Sequence, residues 1–569
     1  MESSPCLLPL PSPIKDYHNS LHSSPFLTKF HSILLLGVRR TWWCCRIGVR
    51  SPEVRAIVAG SFAGKSSKPP LRFEKAELKA LKAQEDYETN LGDTLKCLAN
   101  QANAELIVAS NRVTTFWKQK AHLKWMELGD QNSSFFHSYV KGRRASLKIR
   151  SVSTVGGKKL FQEEDIKNEA MEYFKNVFSS ITLVDDQEIL RHIPTLITTE
   201  NNNSMTLIPE KEEIKKVVWE LNPNAVSGPD GYNGVFFRTC WSIIKEDVVK
   251  ASQEFFMGLP IPKSFGSTFI TLIPKKDCKS FSDFRPISLS TFMSKINSRI
   301  LTSRIQPLLS KIISKEQAGF QKGMGVEDQV LMTCEMAHSL DTKCESGNAI
   351  IKLDMVKAFD RIEWGFLKRV LGGFGFSNRV QHLLTANMEA TYISILLNGS
   401  PTGFFKMKRG VKQGDPLSPL LFIIAGEVFS RMIKTSMESK FLKSYNSGRS
   451  LLVSHLAYDD DLIIFLRGGV RNLLKFKAIL DQYSKGSGQE VNFSKSRFYV
   501  GSKLPANIIA RMERALGMAH GKLPFQYLGV PICKEAWQTS SGAITMAPLN
   551  ITGKIGTPYV APRRKEDWV

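Results

Sequence analysis

Hydrophobic positions divide the chain into stretches of unequal character. Residues 1–70 show no sustained period; they are rich in Ser and Pro, poor in acid, and carry Arg39, Arg40, Arg46, Arg50 and Arg55. They read as a disordered leader, with an organelle transit peptide as the alternative. From Phe73 to about Trp125 the pattern turns helical, Leu91, Leu95, Leu98 and Ala102 recurring at i, i+4, i+7 and i+11. Residues 164–179 place Ile166, Ala170, Tyr173, Phe174, Val177 and Phe178 on one helical face. Segment 181–207 is polar, Asn-rich at 201–203, and reads as a linker. Residues 71–207 are thus expected to be a helical segment with a linker. Residues 208–533 alternate helical and strand-like runs, as one globular unit does. Residues 534–569, dominated by Gly, Pro, Ser and Thr, read as an irregular tail.

Two apolar runs end in acid. Asn348–Asp354 is a short β-rich run closed by Asp354, and Leu451–Phe465 is two apolar half-strands around Asp459-Asp460-Asp461, a hairpin signature. Three consecutive carboxylates at a hairpin tip repel one another unless a cation compensates. Hard oxygen ligands with room for water and phosphate point to Mg²⁺ or Mn²⁺. An acid at a strand end beside an acid pair on a neighbouring hairpin suits two-metal phosphoryl transfer; an exposed acidic turn is the plainer alternative.

Charge adds a partner. Lys and Arg number 77 against 53 Asp and Glu, a net charge of +24, which favours a polyanion, nucleic acid foremost. Residues 111–150 concentrate that surplus in Arg112, Lys118, Lys120, Lys124, Lys141, Arg143, Arg144, Lys148 and Arg150, interleaved with Phe116, Trp117, Trp125, Phe135, Phe136, His137 and Tyr139. Charge with stacking rings suits a single strand; a solvated helix over an aromatic core is the equal alternative. The nine cysteines include no Cys-x-x-Cys pair, which argues against a disulfide framework or zinc knuckle. No apolar run reaches the ~18 residues of a membrane span, so no membrane partner is expected. The run Gly60–Ser66 is one residue short of a phosphate-binding loop.

Set side by side, the motifs resemble a known family. Lys352-Leu-Asp354-Met-Val-Lys357-Ala-Phe359-Asp360 is similar to the first catalytic block of reverse transcriptases. The run from Arg409 through Gln413-Gly414-Asp415-Pro416 to Phe422 is similar to their second block, and Tyr458-Asp459-Asp460-Asp461 to their Tyr-x-Asp-Asp turn. Ser227–Gly231, Leu272–Lys276, Phe284–Leu289, Gln317–Phe320, Asn492–Ser496 and Tyr527–Pro531 follow the blocks of non-LTR (LINE-type) retrotransposons, especially those of plants. The resemblance covers about residues 110–533.

It implies an α+β fold: right-hand polymerase fingers and palm over 208–533, an antiparallel palm sheet packed with helices on one face, preceded by the helical basic segment. It implies RNA-directed DNA polymerase activity on an RNA template, a DNA primer and dNTPs. By the same resemblance Asp354, Asp460 and Asp461 are the catalytic, metal-holding carboxylates, and Lys275 and Arg285 grip the incoming triphosphate. Residues 264–323, which include both, hold ten Lys and Arg against three acids. Phe359 stands where the family carries its steric gate against a 2′-hydroxyl. Gln413 and Gly414 line the nucleotide and template site. Lys495 matches a block assigned to protonating pyrophosphate, a plain phosphate contact being equally open. The Tyr527–Pro531 block resembles the hairpin supporting the primer end. Residence in the nucleus follows if the chain acts as a retroelement polymerase.

Two departures shape the expectation. Asp459 stands where the family usually has a small or apolar residue, and a third carboxylate there is expected to impair activity. Both ends lack segments that full elements carry, so a truncated or decayed copy is expected. Its alternative function is a catalytically impaired remnant that only binds nucleic acid. An intron-encoded reverse transcriptase is the rival within the same fold, disfavoured by Ser227–Gly231 and Tyr527–Pro531.

Overall fold

The computed structural model describes residues 69–121, 134–154, 156–180, 187–275, 278–321, 323–448 and 453–534. The leader up to residue 68, the 60–66 run and the tail from 535 lie outside them. The labelled helices are α1 (Pro69–Thr89), α2 (Asp93–Ala121), α3 (Ser134–Leu147), α4 (Glu163–Val177), α5 (Thr199–Thr206), α6 (Phe292–Ile305), α7 (Val326–His338), α8 (Ser418–Glu438) and α9 (Val470–Ser487); further helices span Lys211–Glu220, Trp241–Met257, Trp364–Gly373, Asn378–Glu389 and Ala506–Leu516, with shorter turns elsewhere. Strands are β1 (Ser267–Pro274), β2 (Phe284–Ser290), β3 (Asn348–Leu353), β4 (Tyr392–Leu397), β5 (Ser400–Lys406), β6 (His455–Tyr458), β7 (Asp461–Arg467), β8 (Arg497–Val500), β9 (Ala519–His520), β10 (Phe525–Tyr527) and β11 (Val530–Ile532). A two-strand ladder, Val152–Ser153 with Lys159–Leu160, precedes α4.

The long helical pattern is two helices. The buried seam of α2 is Ala99, Ala102, Ala109, Val113 and Trp117, whereas Leu91 lies exposed in the inter-helix turn and Leu98 faces water. The expected face therefore keeps Ala102 and loses Leu91 and Leu98. Small side chains let α1, through Ala80, approach closely, and leucines beside the seam stay outside. Trp117 is core and Tyr139 is exposed; the side chains of Phe116, Trp125, Phe135, Phe136 and His137 lie outside the described set. Along α3 and just beyond it, Lys141, Arg143, Arg144, Lys148 and Arg150 are exposed.

From residue 187 on, the segment expected as a linker is packed structure. Ile189, Ile193, Ile197 and Met205 are buried in the main core, and Thr198 closes a capping box with Asn201 at the start of α5. The Asn run is polar because it caps and bonds the chain: the Asn202 amide nitrogen donates to the Gly375 carbonyl at 2.9 Å and its oxygen accepts from Ser377 N at 2.7 Å.

Two sheets organise the rest. One has order β2-β1-β4-β5, with β1 antiparallel to β2 and parallel to β4. Helix α4 covers it, burying Ile166, Ala170 and Phe174 against Ile270, Phe284, Ile393 and Ile395. The other has order β9-β8-β3-β7-β6, antiparallel except for β8 with β9. Ile351, Leu353, Ile464, Leu466 and Phe498 point to a core shared with α8 and α9. Ile350, Ile463, Phe465 and Tyr499 point to a second core under α7 and the β10–β11 hairpin. Helices on one face alone were expected; both faces are covered, which is why β3 reads as a continuous apolar run. Among the described residues no helix is long and apolar enough to cross a membrane.

Candidate active site

Strand order brings the acid-terminated segments together. Strand β3 is central, and its register with β7 pairs Lys352 with Ile463 and Leu353 with Leu462. Continued by one residue, that register sets Asp354 opposite Asp461. The β6–β7 ladder closes on the pair Tyr458–Asp461, leaving Asp459 and Asp460 as a two-residue loop. Asp459 has φ +59°, the left-handed region, where Asp and Asn are the least disfavoured non-glycine residues. Asp460 is exposed at the tip.

The other side of Asp354 is held by the Asn492–Ser496 turn. The Ser496 hydroxyl accepts from Asp354 N at 3.0 Å, and Asn492 N donates to Asp354 O at 2.7 Å. Lys495 projects from this turn, exposed. Among the described residues no group of three or more His, Cys, Asp or Glu side chains is arranged to hold a metal ion. Two or three carboxylates set apart in this way suit a cation that keeps several waters and takes one or two carboxylates together with substrate phosphates, as Mg²⁺ does.

Downstream of Asp354 the chain turns sharply. Lys357 has φ +46°, and Asp360 N closes a tight turn onto Lys357 O at 2.9 Å. Phe359 is half-buried, its ring stacked on Phe422 of α8 at 4.3 Å and 6°. Val411 N donates to Phe359 O at 2.8 Å, docking the Arg409–Asp415 segment beside it. Gly410, at φ +82°, has no space for a side chain: a Cβ would lie 2.5 Å from Asp360 O. Asp360 is buried, and burial pushes its pKa up to about 7 against the pull of Lys357, Lys275 and Arg409. Burial lowers that of Lys357, whose ammonium donates to Phe284 O at 2.9 Å. Lys357 thereby ties the strand carrying Arg285 to the turn after Asp354.

The basic residues lie on the first sheet. Ile273 pairs with Arg285 and Pro274 with Phe284, and Lys275 N donates to Asp283 O at 2.9 Å, so Lys275 and Arg285 sit on one hairpin. Arg285 is exposed and Lys275 half-buried, near enough for its charge to act on Asp360. Ser288 N donates to Gln413 O at 2.8 Å, seating Gln413 along β2, and Gly414 follows at φ +105°. Below them Lys412 is buried with Asp415: the ammonium reaches Asp415 Oδ2 at 3.9 Å, Ser294 Oγ at 3.2 Å and Asn387 O at 3.3 Å. The Tyr527–Pro531 block forms the β10–β11 hairpin, with Leu528 and Gly529 both at positive φ as a tight two-residue loop favours.

The structure thus sets Asp354 just past the end of β3, Asp461 at the start of β7 and Asp460 in the loop before it, Lys495 on the turn beside Asp354, and Phe359, Gln413 and Gly414 on segments joined by backbone bonds. Lys275 and Arg285 lie on the other sheet from the carboxylates. Sequence reasoning assigned no role to Lys357, Asp360, Phe422 or Ser496. Each stands inside a block already singled out, but a pattern of residue types does not say which side chain turns inward.

Residues 273–532 match the family described as reverse transcriptase (RNA-dependent DNA polymerase). The chain is 25% identical over 426 residues to the Xenopus laevis "Transposon TX1 uncharacterized 149 kDa protein", covering 74% of this chain and 32% of that protein. It is 29% identical over 164 residues to the Popillia japonica "Retrovirus-related Pol polyprotein from type-1 retrotransposable element R2", covering 28% of this chain and 23% of that one. A Drosophila melanogaster Pol polyprotein from type-2 element R2DM is 21% identical over 444 residues, 69% of this chain and 40% of its own length. The chain spans well under half the length of each of these relatives.

Proposed function

We propose that the chain carries the catalytic core of a non-LTR retrotransposon reverse transcriptase of the plant LINE type, an RNA-directed DNA polymerase adding deoxynucleotides to a primer 3′-hydroxyl with release of pyrophosphate. The observation that carries this reading is the β3–β7 register, which brings Asp354 abreast of Asp461 one residue from Asp460. In this reading the five-stranded sheet is the palm and the four-stranded sheet the fingers. Asp354, Asp460 and Asp461 hold Mg²⁺ or Mn²⁺, which when bound makes the primer hydroxyl more acidic and neutralises phosphate charge. Lys275 and Arg285 bind the triphosphate by charge-assisted hydrogen bonds. Gln413 and Gly414 offer a side-chain amide and close backbone approach to the base pair, and Lys495 faces phosphate. Phe359 excludes a ribose 2′-hydroxyl by steric clash. The exposed cations of residues 141–150 follow the nucleic-acid backbone.

Asp459 favours a second reading, an impaired remnant that still binds RNA, because it adds a carboxylate next to the primer end. Extension of a DNA primer on an RNA template with Mg²⁺ separates the two. Incorporation that disappears in Asp354→Asn supports the polymerase; RNA binding without incorporation supports the remnant.

A further inference from the structure

We infer that Gln317 is a positioning residue for the catalytic turn, acting through the backbone of Asp459. The inference rests on the polymerase reading for its catalytic consequence, but its structural basis is independent. Strand β6 is the edge of its sheet, and the carboxylate loop hangs from its end. The Glu316–Gly319 segment docks along that edge: Ala457 N donates to Glu316 O and Ala318 N to Ala457 O, both at 2.9 Å, with Gln317 bridged to Ala457 in parallel. Gln317 is buried, and its side-chain oxygen accepts from two amides, Gly319 N at 2.8 Å and Asp459 N at 3.3 Å. The second belongs to the residue at φ +59°. A buried acceptor therefore meets the N–H of the one residue in the loop whose backbone is strained, and over-determined contacts of this kind are what keep such a conformation populated.

Packing makes the same point. A Cβ on Gly319 would lie 2.5 Å from Asp459 N, so the segment touches the turn and a side chain there would displace it. The segment is anchored in turn to α8: Ser314 N and Oγ donate to Glu427 Oε2 at 3.1 and 3.0 Å, and the Lys434 ammonium reaches Glu316 Oε1 at 3.5 Å. Helix α8 also carries Phe422, which backs Phe359. One helix thus braces both halves of the site. An amide suits position 317 because its oxygen accepts without adding a charge to Asp459, Asp460 and Asp461.

The test uses the full chain with Gln317→Met, which removes the acceptor at similar volume, and Gln317→Glu, which keeps it. Backbone hydrogen exchange over residues 456–464, Mn²⁺ affinity by paramagnetic titration without nucleotide, and kcat and KM for dNTP are measured on each. The expected result is faster exchange and several-fold weaker Mn²⁺ binding in Gln317→Met, exchange slower in Gln317→Glu than in Gln317→Met because the acceptor is kept despite the added charge, and a kcat lowered at least tenfold in Gln317→Met with KM within threefold. Exchange unchanged in Gln317→Met overturns the inference, as does faster exchange with unaltered Mn²⁺ affinity and kcat. If Gln317→Met does not fold, Gly319→Ala takes its place with the same expectations. Should the wild-type chain fail to incorporate nucleotide, the polymerase reading fails, while exchange and Mn²⁺ binding still decide the role of Gln317.

Discussion

Replacing Phe422 by Leu isolates one contact on which the proposed sugar selection by Phe359 depends. Phe359 and Phe422 stack at 4.3 Å between centroids with planes 6° apart, and Phe422 is buried in α8. A stacked pair is worth about 0.5–1.5 kcal/mol beyond its buried area. Leu keeps most of the apolar volume, so the fold loses on the order of 1–2 kcal/mol, whereas Ala would lose more and confuse the outcome. Without the stack, Phe359 is freed by the same 0.5–1.5 kcal/mol. If all of that is drawn from the clash with a 2′-hydroxyl, discrimination between dNTP and rNTP falls by about 2- to 13-fold. The assay is single-nucleotide incorporation on one primed RNA, comparing kcat/KM for a dNTP with that for the matching rNTP. Phe359→Ala serves as the upper limit, with a larger fall. A Phe422→Leu ratio equal to wild type alongside a collapsed Phe359→Ala ratio refutes the bracing role; an unchanged ratio in both refutes the gate itself.

Three further predictions rest on separate features. Lys412→Met leaves Asp415 buried with only the Ser298 hydroxyl and Leu417 N as donors and should cost about 3 kcal/mol in chemical denaturation; Lys412→Met with Asp415→Asn should recover at least about 1 kcal/mol of that, and full additivity would contradict the pairing. Burial raises the folded-state pKa of Asp360 from 3.8 to about 7, so the folded chain binds the extra proton between those values and stability contributed by this group falls as pH rises through 7. Asp360→Asn should remove that fall, and parallel melting-temperature profiles for wild type and variant from pH 4 to 8 would show the assignment to be wrong. Asp459→Asn keeps a residue that tolerates positive φ and removes one charge, worth about 1 kcal/mol at close range; incorporation should rise about fivefold, and equal rates would sink the idea that Asp459 impairs the site.

The chemistry-bearing segments were legible because their physics is local. Asn348–Leu353 forms the strand its apolar run implied, and the acid triplet sits at a hairpin as the two half-strands implied. The helix at 163–177 buries Ile166, Ala170 and Phe174 as its period required. What failed depended on partners far along the chain. Leu91 and Leu98 have the right spacing for a face, but the close helix pair selects the alanines beside them. The Asn201–Asn203 segment looked like a linker because its polarity is spent on a cap and on backbone groups near residue 375. The continuous apolar run of β3 carried the mark of burial on both faces, but the strand alone could not name what covers the second face, α7 and the β10–β11 hairpin. Gln317 illustrates the limit best: its block was noticed, yet only the fold places its side chain 142 residues ahead of the amide it meets.

The most direct test of the central claim is single-turnover incorporation of one dNTP into a DNA primer annealed to RNA, with Mg²⁺, by wild type and by Asp460→Asn. Incorporation by wild type, strictly dependent on the divalent ion and lost by at least a thousandfold in Asp460→Asn with RNA–DNA binding intact, is the predicted result. Wild-type incorporation that survives Asp460→Asn, or binding of the primed RNA with no incorporation by the wild-type chain, would contradict it.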